Sequence, residues 1–441
     1  MKVLLTNQNS VLNLGDFAIH LETLRMVREA CPEAEVTLTY HDLASAREHL
    51  PGYRLLPALD SWAYQVNERG EVVFTPVLRR IIDVLILCLG VLIYRFGGAT
   101  PRLFRDQSKH EVFAAFASAD IVLACGGGYI YDTELPRGLP SQLISFATWS
   151  IFLLGSHLLA LALGKPLVLL PQSIGPLRDP VRQRVVAWII SQARLTLVRE
   201  RESLALLDEL GCGAKVAYSP DLAFGMPGGV LAEARALLDT ADLPHESVAF
   251  CVGMTALDWR GQSRAFDGQE RYERALLGCI DAITADSGMV VLFAQCHSQF
   301  AAWDDKLVNR RLRERARQPE RVVLVEQLAQ PDILQAAYGQ MDYFIGTRMH
   351  SVILAANAGV PALAIGYLHK SLGIMREIGL AERCFDIASV SAELLIEGLS
   401  KLRNAPDTER IAAYVEHARR RKHALAALLP MLAGQTYHFK P

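Results

Sequence analysis

The sequence predicts an α/β protein built from two Rossmann-like domains with parallel sheets. Three observations predict it. Short, largely apolar runs recur along nearly the whole chain, as expected for parallel strands buried on both faces. Amphipathic stretches lie between them: Phe17, Leu21 and Leu24 make one helical stripe, and Leu204, Leu207 and Leu210 make another. The chain has 441 residues, 51% hydrophobic and 21% charged. At roughly 100–200 residues per domain this gives two domains with sizeable cores, and it excludes a disordered chain.

The first strand candidate, 2–7, leads to Asn13-Leu14-Gly15-Asp16. Gly15 permits a tight turn, and Asp16 stands where it can cap the next helix. The other reading places Asn13 and Asp16 at the floor of a ligand cleft. The apolar stretch 84–94 is too short for a bilayer span, which takes ~20 residues. Arg79-Arg80 just before it could meet anionic lipid. Strand candidate 120–124 runs into Gly126-Gly127-Gly128, either a close-packing turn or a cradle of N–H groups for an anion. Asp132 follows, a candidate to orient an acceptor hydroxyl. The stretch 138–164 lacks Asp, Glu, Lys and Arg. It contains Ser141, Gln142, Ser145, Ser156 and His157, and reads as a buried or interfacial helix rather than a span. Strand candidate 167–170 is followed by Pro171-Gln172-Ser173-Ile174-Gly175-Pro176, a shaped loop whose polar handles are Gln172 and Ser173. Strand candidate 195–198 ends at Arg199, whose planar fork suits phosphate or carboxylate. The alternative is an ion pair with Glu202 or a neighbouring acid. Candidate 215–218 closes this half.

Gly225-Met226-Pro227-Gly228-Gly229 breaks the periodicity. The expected domains are therefore 1–225 and 230–405, with a helix in 406–441 packing back on the first. Strand candidates of the second domain are 248–254, 289–294, 322–325, 343–345 and 362–365. Ligands of open parallel sheets bind beyond the carboxyl ends of the strands. After 289–294 stands His297, with Asp304-Asp305 further on: an acid/base pair, or aspartates on a solvated helix face. After 343–345 comes Gly346-Thr347-Arg348-Met349-His350-Ser351. Here Arg348 supplies a fixed cationic fork, and His350 can move a proton near neutral pH. After 362–365, Lys370 offers a further cation.

The formal net charge is -2, so there is no global basic field for nucleic acid, and an anionic ligand must be held by a few local cations. The eight cysteines form no C-x-x-C pair and no zinc-like spacing; they read as free thiols in a reducing compartment, and no metal is expected. The run Met1–Thr6 lacks the features of a signal peptide, and the expected location is cytoplasmic, with peripheral contact at the inner face of the membrane.

Taken together, Asn13-x-Gly15-Asp16, Gly126-Gly127-Gly128, Gln172-Ser173-Ile174-Gly175-Pro176, Val198-Arg199-x-x-x-Ser203, Pro220-Asp221, Gly346-Thr347-Arg348-Met349-His350 and Tyr367-x-x-Lys370 resemble the polysaccharide pyruvyl transferase family. The order of these motifs carries the resemblance more than any one of them. The resemblance implies a GT-B-like fold whose two domains face across a cleft. It also implies phosphoenolpyruvate as donor and co-substrate, with no cofactor, a sugar acceptor that is free or lipid-linked, and a cyclic pyruvate ketal as product. By that analogy Arg199 and Arg348 hold the donor, with Lys370 and Gly126–Gly128 in support. His350 takes part in proton transfer, and Asn13, Asp16, Asp132, Gln172, Ser173, Asp221 and His297 line the cleft. Cys296-His297-Ser298 follows the family pattern only loosely. The competing functions are a sugar-nucleotide-dependent glycosyltransferase and a catalytically silent scaffold in polysaccharide assembly.

Overall fold

A computed structural model describes the chain except residues 67–71, 99, 133–153, 240–248, 259–267, 299–303, 368 and 435–441. It divides into two compact units. Unit 1 comprises Met1–Val11, Ile19–Asp221 and Arg421–Pro441; unit 2 comprises Leu12–Ala18 and Leu222–Arg420. The architecture is α/β, with a Rossmann-like parallel sheet in each unit.

Unit 1 contains β1 (Lys2–Gln8), β2 (Glu35–Tyr40), β3 (Arg54–Pro57), the small antiparallel pair β4 (Tyr64–Val66) and β5 (Val72–Phe74), β6 (Ile121–Ala124), β7 (Gly127–Ile130), β8 (Leu167–Ile174), β9 (Leu195–Val198) and β10 (Val216–Tyr218). The main sheet runs β10-β9-β8-β6-β1-β2-β3, with β7 on β8, all parallel. Strand order reverses between β1 and β6, the switch point at which such sheets bind ligands. Leu4, Val122, Leu169 and Val198 of the sheet pack with Phe113, Phe116 and Ile190 of flanking helices.

β8 is longer than the sequence suggests. Gln172 and Ser173 are buried strand residues, not loop handles. Two features extend it. The ladder shifts register between Leu169 and Gln172, so Pro171, which has no N–H, sits at an irregularity. β7 then pairs with the far half, Gly127 opposite Gln172 and Ile130 opposite Ile174.

Unit 2 contains β11 (Cys251–Thr255), β12 (Met289–Phe293), β13 (Val322–Val325), β14 (Tyr343–Gly346), β15 (Ala362–Gly366) and β16 (Cys384–Asp386). The order β13-β12-β11-β14-β15-β16 is the doubly wound one, parallel throughout, with its switch point between β11 and β14. Val252, Val290, Ile345 and Leu363 pack against Tyr272, Leu276 and Ile280 of the helix Gln269–Ala285.

The chain passes from unit 1 to unit 2 at Asp221/Leu222, just before the Gly225–Gly229 break. The last helix, Thr408–Gly434, joins unit 1 from Arg421 onward. There Lys422 pairs with buried Glu22, His423 Nδ1 lies 2.6 Å from Glu29 Oε1, and Arg421 Nη2 donates to Tyr218 O at 3.0 Å. The stretch 84–94 lies within the helix Val77–Gly97. Of the stretch 138–164, the helix Gly155–Ala162 is described, and 138–153 lies outside the described residues. Among the described residues no helix is long and apolar enough to cross a membrane.

Candidate functional site

In unit 2 the switch point is fixed by buried hydroxyls. Thr347 N donates to Thr255 Oγ1 at 3.2 Å, and Thr347 Oγ1 lies 2.7 Å from Tyr272 OH. Thr255 Oγ1 lies 2.8 Å from Ser351 Oγ. Gly346 has no room for a side chain: a Cβ there would sit 2.6 Å from Ser351 Oγ and from Val352 Cγ2. The helix Met349–Asn357 can therefore start directly at the strand end, with Arg348 at its N-cap and His350 in its first turn.

Arg348 is buried and grips Asp305 through two nitrogens. Its Nε donates to Oδ2 at 2.8 Å and its Nη2 to Oδ1 at 2.6 Å. Asp305, at the start of the helix Asp305–Arg315, also accepts the N–H groups of Gln295 at 3.1 Å and Cys296 at 2.8 Å. One carboxylate thus ties the ends of β12 and β14 to a helix N-terminus. Burial works against the charge on Arg348, but Asp305 outweighs it and holds the guanidinium well above its ordinary value. Nη1 is not engaged by Asp305, so the fork keeps a donor edge.

The expected pairing of His297 with a carboxylate is not made, because Asp305 is committed to Arg348. His297 Nε2 instead donates to Ala294 O at 3.0 Å, and its pKa is lowered, first by burial and then by Lys306. Neighbouring Cys296 is pushed up to about 12 by burial, with Asp305, Asp16 and Asp304 adding to the rise and Arg348 opposing it. The Cys296 thiol therefore stays protonated at neutral pH, and burial favours the neutral form of His297.

Residues 12–18 belong to this same unit. Leu14 N donates to Gln295 O at 3.0 Å, His297 N donates to Leu12 O at 2.9 Å, and Asn13 bridges to Cys296. Gly15 then comes against His350: a Cβ at Gly15 would sit 2.4 Å from His350 Nδ1 and 2.5 Å from His350 Cβ. Only glycine permits this approach. Asp16 is not the cap of the helix Leu14–Ala30, which starts before it. Asn13 takes that place, accepting from Gly15 N at 3.2 Å, while its Nδ2 donates to Asp16 Oδ2 at 2.9 Å. The structure therefore gathers Asn13, Asp16, His297, Arg348 and His350 in one neighbourhood. Lys370 sits half-buried in the first turn of the helix His369–Ile378, after β15, which pairs with β14.

Unit 1 treats its predicted residues differently. Arg199 is 1% exposed. Its Nε donates to Ser173 Oγ at 2.8 Å, and its Nη1 pairs with Asp221. Ser173 Oγ donates in turn to Glu200 Oε2 at 2.8 Å, and Ser203 Oγ donates to Glu200 Oε1 at 2.6 Å. Arg199, Ser173 and Asp221 thus form a closed internal network. The ion-pair alternative holds, but the partner is Asp221 rather than Glu202. Asp132 accepts from Arg178 N at 2.5 Å, Asp179 N at 2.8 Å and Arg182 Nη1 at 3.2 Å. These contacts anchor the start of the helix Pro180–Gln192. The three glycines are not a free cradle either. Gly126 packs on the backbone, a Cβ there meeting Pro171 O at 2.6 Å, and Gly127 is paired in β7; only Gly128 is exposed.

One polar residue at the unit 1 switch point escaped the sequence reading. Gln8 ends β1 and is 2% exposed, with neither Nε2 nor Oε1 hydrogen-bonded among the described residues. Leaving such a group unsatisfied costs about 1–3 kcal/mol, so Gln8 suits a polar ligand atom or an ordered water. Its signal in the sequence is its place at the carboxyl end of the first apolar strand, where ligands of parallel sheets bind.

The family profile of the polysaccharide pyruvyl transferases matches residues 13–369. That span includes Gly15, Arg348 and His350 and stops one residue before Lys370. The amylovoran biosynthesis protein AmsJ of Erwinia amylovora is 28% identical over 409 residues, covering 88% of this chain and 89% of that protein. Among solved structures, the UDP-GlcNAc 2-epimerase of Neisseria meningitidis bound to UDP-GlcNAc is similar with a TM-score of 0.57 at 12% identity, covering 98% of this chain and 100% of that one. The glycotransferase of kitacinnamycin gives 0.51 at 15% identity, covering 98% of each chain. At such identities the likeness is one of fold, and it places the chain among GT-B-like proteins.

Proposed function

The chain belongs to the polysaccharide pyruvyl transferase family, and from that premise we propose that it moves the pyruvyl group of phosphoenolpyruvate onto two hydroxyls of a sugar. Membership of the family, together with the likeness to an amylovoran biosynthesis protein, makes it a transferase of polysaccharide biosynthesis. The observation that carries the finer reading is the meeting of Gly15 with His350 beside the Arg348–Asp305 pair. Segments far apart in sequence converge on one cationic fork and one imidazole.

Phosphoenolpyruvate carries a carboxylate and a phosphate. Arg348, oriented by Asp305, supplies a planar donor edge, and Lys370 at the adjacent strand end adds a point charge. His350 delivers a proton to the donor methylene carbon. A sugar hydroxyl attacks the neighbouring carbon, and its proton goes to the His350 imidazole, which the first step has left deprotonated. The carbon–oxygen bond to phosphorus breaks, and phosphate leaves with the electron pair. The second hydroxyl then bonds to the same carbon, its proton going to solvent or phosphate, and the ketal closes. Neither an oxidant nor a reductant is required.

Calorimetric titration with phosphoenolpyruvate, with a uridine sugar nucleotide as control, tests the donor. Heat with phosphoenolpyruvate that disappears in Arg348→Lys is the expected result. Binding of the nucleotide instead would overturn the proposal in favour of a glycosyltransferase.

A further inference from the structure

The helix Val77–Gly97 in unit 1 is built inside out. Its inner face carries the charge: buried Asp83 accepts from Lys109 Nζ at 2.5 Å. Gly90 seats the helix against Phe113, a Cβ there lying 3.0 Å from the ring Cζ, and Tyr94 OH donates to Ala117 O at 2.8 Å. These contacts fasten it to the helix Gln107–Ser118. Its outer face carries Leu78, Ile81, Leu85, Leu89, Leu92 and Phe96, each between 49% and 88% exposed. Their spacing of three and four residues makes one stripe, roughly 27 Å long at 1.5 Å per residue. A surface helix in water shows the opposite pattern.

The surroundings say what covers it. Arg79, Arg95, Arg102 and Arg105 are exposed near the stripe. Between positions 72 and 105 the sole carboxylate is Asp83, already neutralised by Lys109. A second copy packing through this stripe would set arginines against arginines whichever way the helices ran. A protein interface also draws on aromatic residues and Met, whereas this stripe is aliphatic apart from Phe96. We propose that the helix Val77–Gly97 lies in the plane of an anionic bilayer surface, with its stripe in the acyl boundary and the arginines among the headgroups. The inference does not depend on the pyruvyl-transfer chemistry.

Flotation of the full chain with vesicles tests it, using phosphatidylcholine alone and phosphatidylcholine mixed with phosphatidylglycerol. The protein should float with the anionic vesicles, and the double variant Leu85→Glu/Leu89→Glu should stay behind. Arg79→Gln and Arg102→Gln should each lower the partition by about fivefold, the effect of one surface cation. A fluorophore on exposed Cys88 should shift to the blue with anionic vesicles, against a labelled Cys88→Ser background; this reads the helix directly even if the double variant folds poorly. Absence of flotation, or flotation indifferent to Leu85→Glu/Leu89→Glu, would overturn the inference. A dimer dissolved by that variant, without lipid binding, would assign the stripe to a second copy.

Discussion

Arg199 in unit 1 and Arg348 in unit 2 give the same signal in sequence. Each follows a short parallel strand, and each precedes a helix. Their surroundings part them. Arg199 lies within a network closed by Asp221, Ser173 and Glu200. Arg348 meets one carboxylate edge-on, keeps Nη1 clear of it, and stands two residues from His350. Arg199 is thus ringed by several acceptors, whereas Arg348 is held edge-on by a single carboxylate, and the proposed donor-binding role of Arg348 rests on that difference.

The sharpest way to break this contrast is to replace both arginines by lysine. Arg348→Lys keeps the charge and loses the fork, so kcat/KM for phosphoenolpyruvate should fall by about 10²–10³, well beyond any loss of folded protein measured by urea unfolding. Arg199→Lys should instead cost about 1–3 kcal/mol of stability measured by urea unfolding, with turnover following the folded fraction. A stable Arg199→Lys protein that no longer uses the donor would return Arg199 to the site and void the distinction.

Two histidines extend the comparison to pH. His157 in unit 1 is wholly buried, and burial pushes its pKa down to about 4. In the unfolded chain it titrates near ~6.5. The unfolded state therefore binds the proton more readily between those values. The stability is fully present above about pH 6.5 and is lost as pH falls toward about 4, on the order of 3 kcal/mol in total. Urea unfolding across that window should show the slope, and His157→Leu should flatten it. An unchanged slope would mean that another group carries it. His350, in the first turn of the helix Met349–Asn357, is tested through catalysis instead: His350→Ala should lose turnover while its urea unfolding stays near that of the parent.

The sequence revealed the frame more readily than the partners. The strands 195–198 and 322–325 match their observed limits, because short runs with at most one threonine among apolar residues fit a sheet buried on both faces. β2 was missed because Glu35-Val-Thr-Leu-Thr-Tyr alternates threonine with apolar residues, though nearly all of it is buried. β3 and β16 are edge strands with little apolar run to read. At the site, Arg348 and His350 stood out by position. Asp305 stood out only as a candidate partner for His297; its pairing with Arg348 did not, since the two lie 43 residues apart, and no local pattern reports such a contact. The same holds for Gly15, whose glycine looked like a turn and proves to be the space that His350 needs.

That space can be filled. Gly15→Ala puts a Cβ where the imidazole stands, so turnover should fall by about 10- to 100-fold through a displaced His350, with donor affinity by calorimetry nearly unchanged. A loss of donor affinity at constant kcat would instead place the 12–18 segment against phosphoenolpyruvate itself.

The smallest effect separates scaffold from contact within that segment. Asn13 caps the helix Leu14–Ala30 and holds Asp16. As a cap alone, Asn13→Ala should cost about 1 kcal/mol in unfolding free energy and leave the KM for the sugar where it was. Asn13→Ser keeps an accepting oxygen at the cap without setting a second carboxylate against Asp16, and should restore most of the stability. If it restores stability while the KM for the sugar stays raised in both variants, the amide donor touches the acceptor. Arg348, His350 and Asn13 stand close together in unit 2, whereas Arg199 of unit 1 is held among Asp221, Ser173 and Glu200, and these variants test whether that grouping is functional.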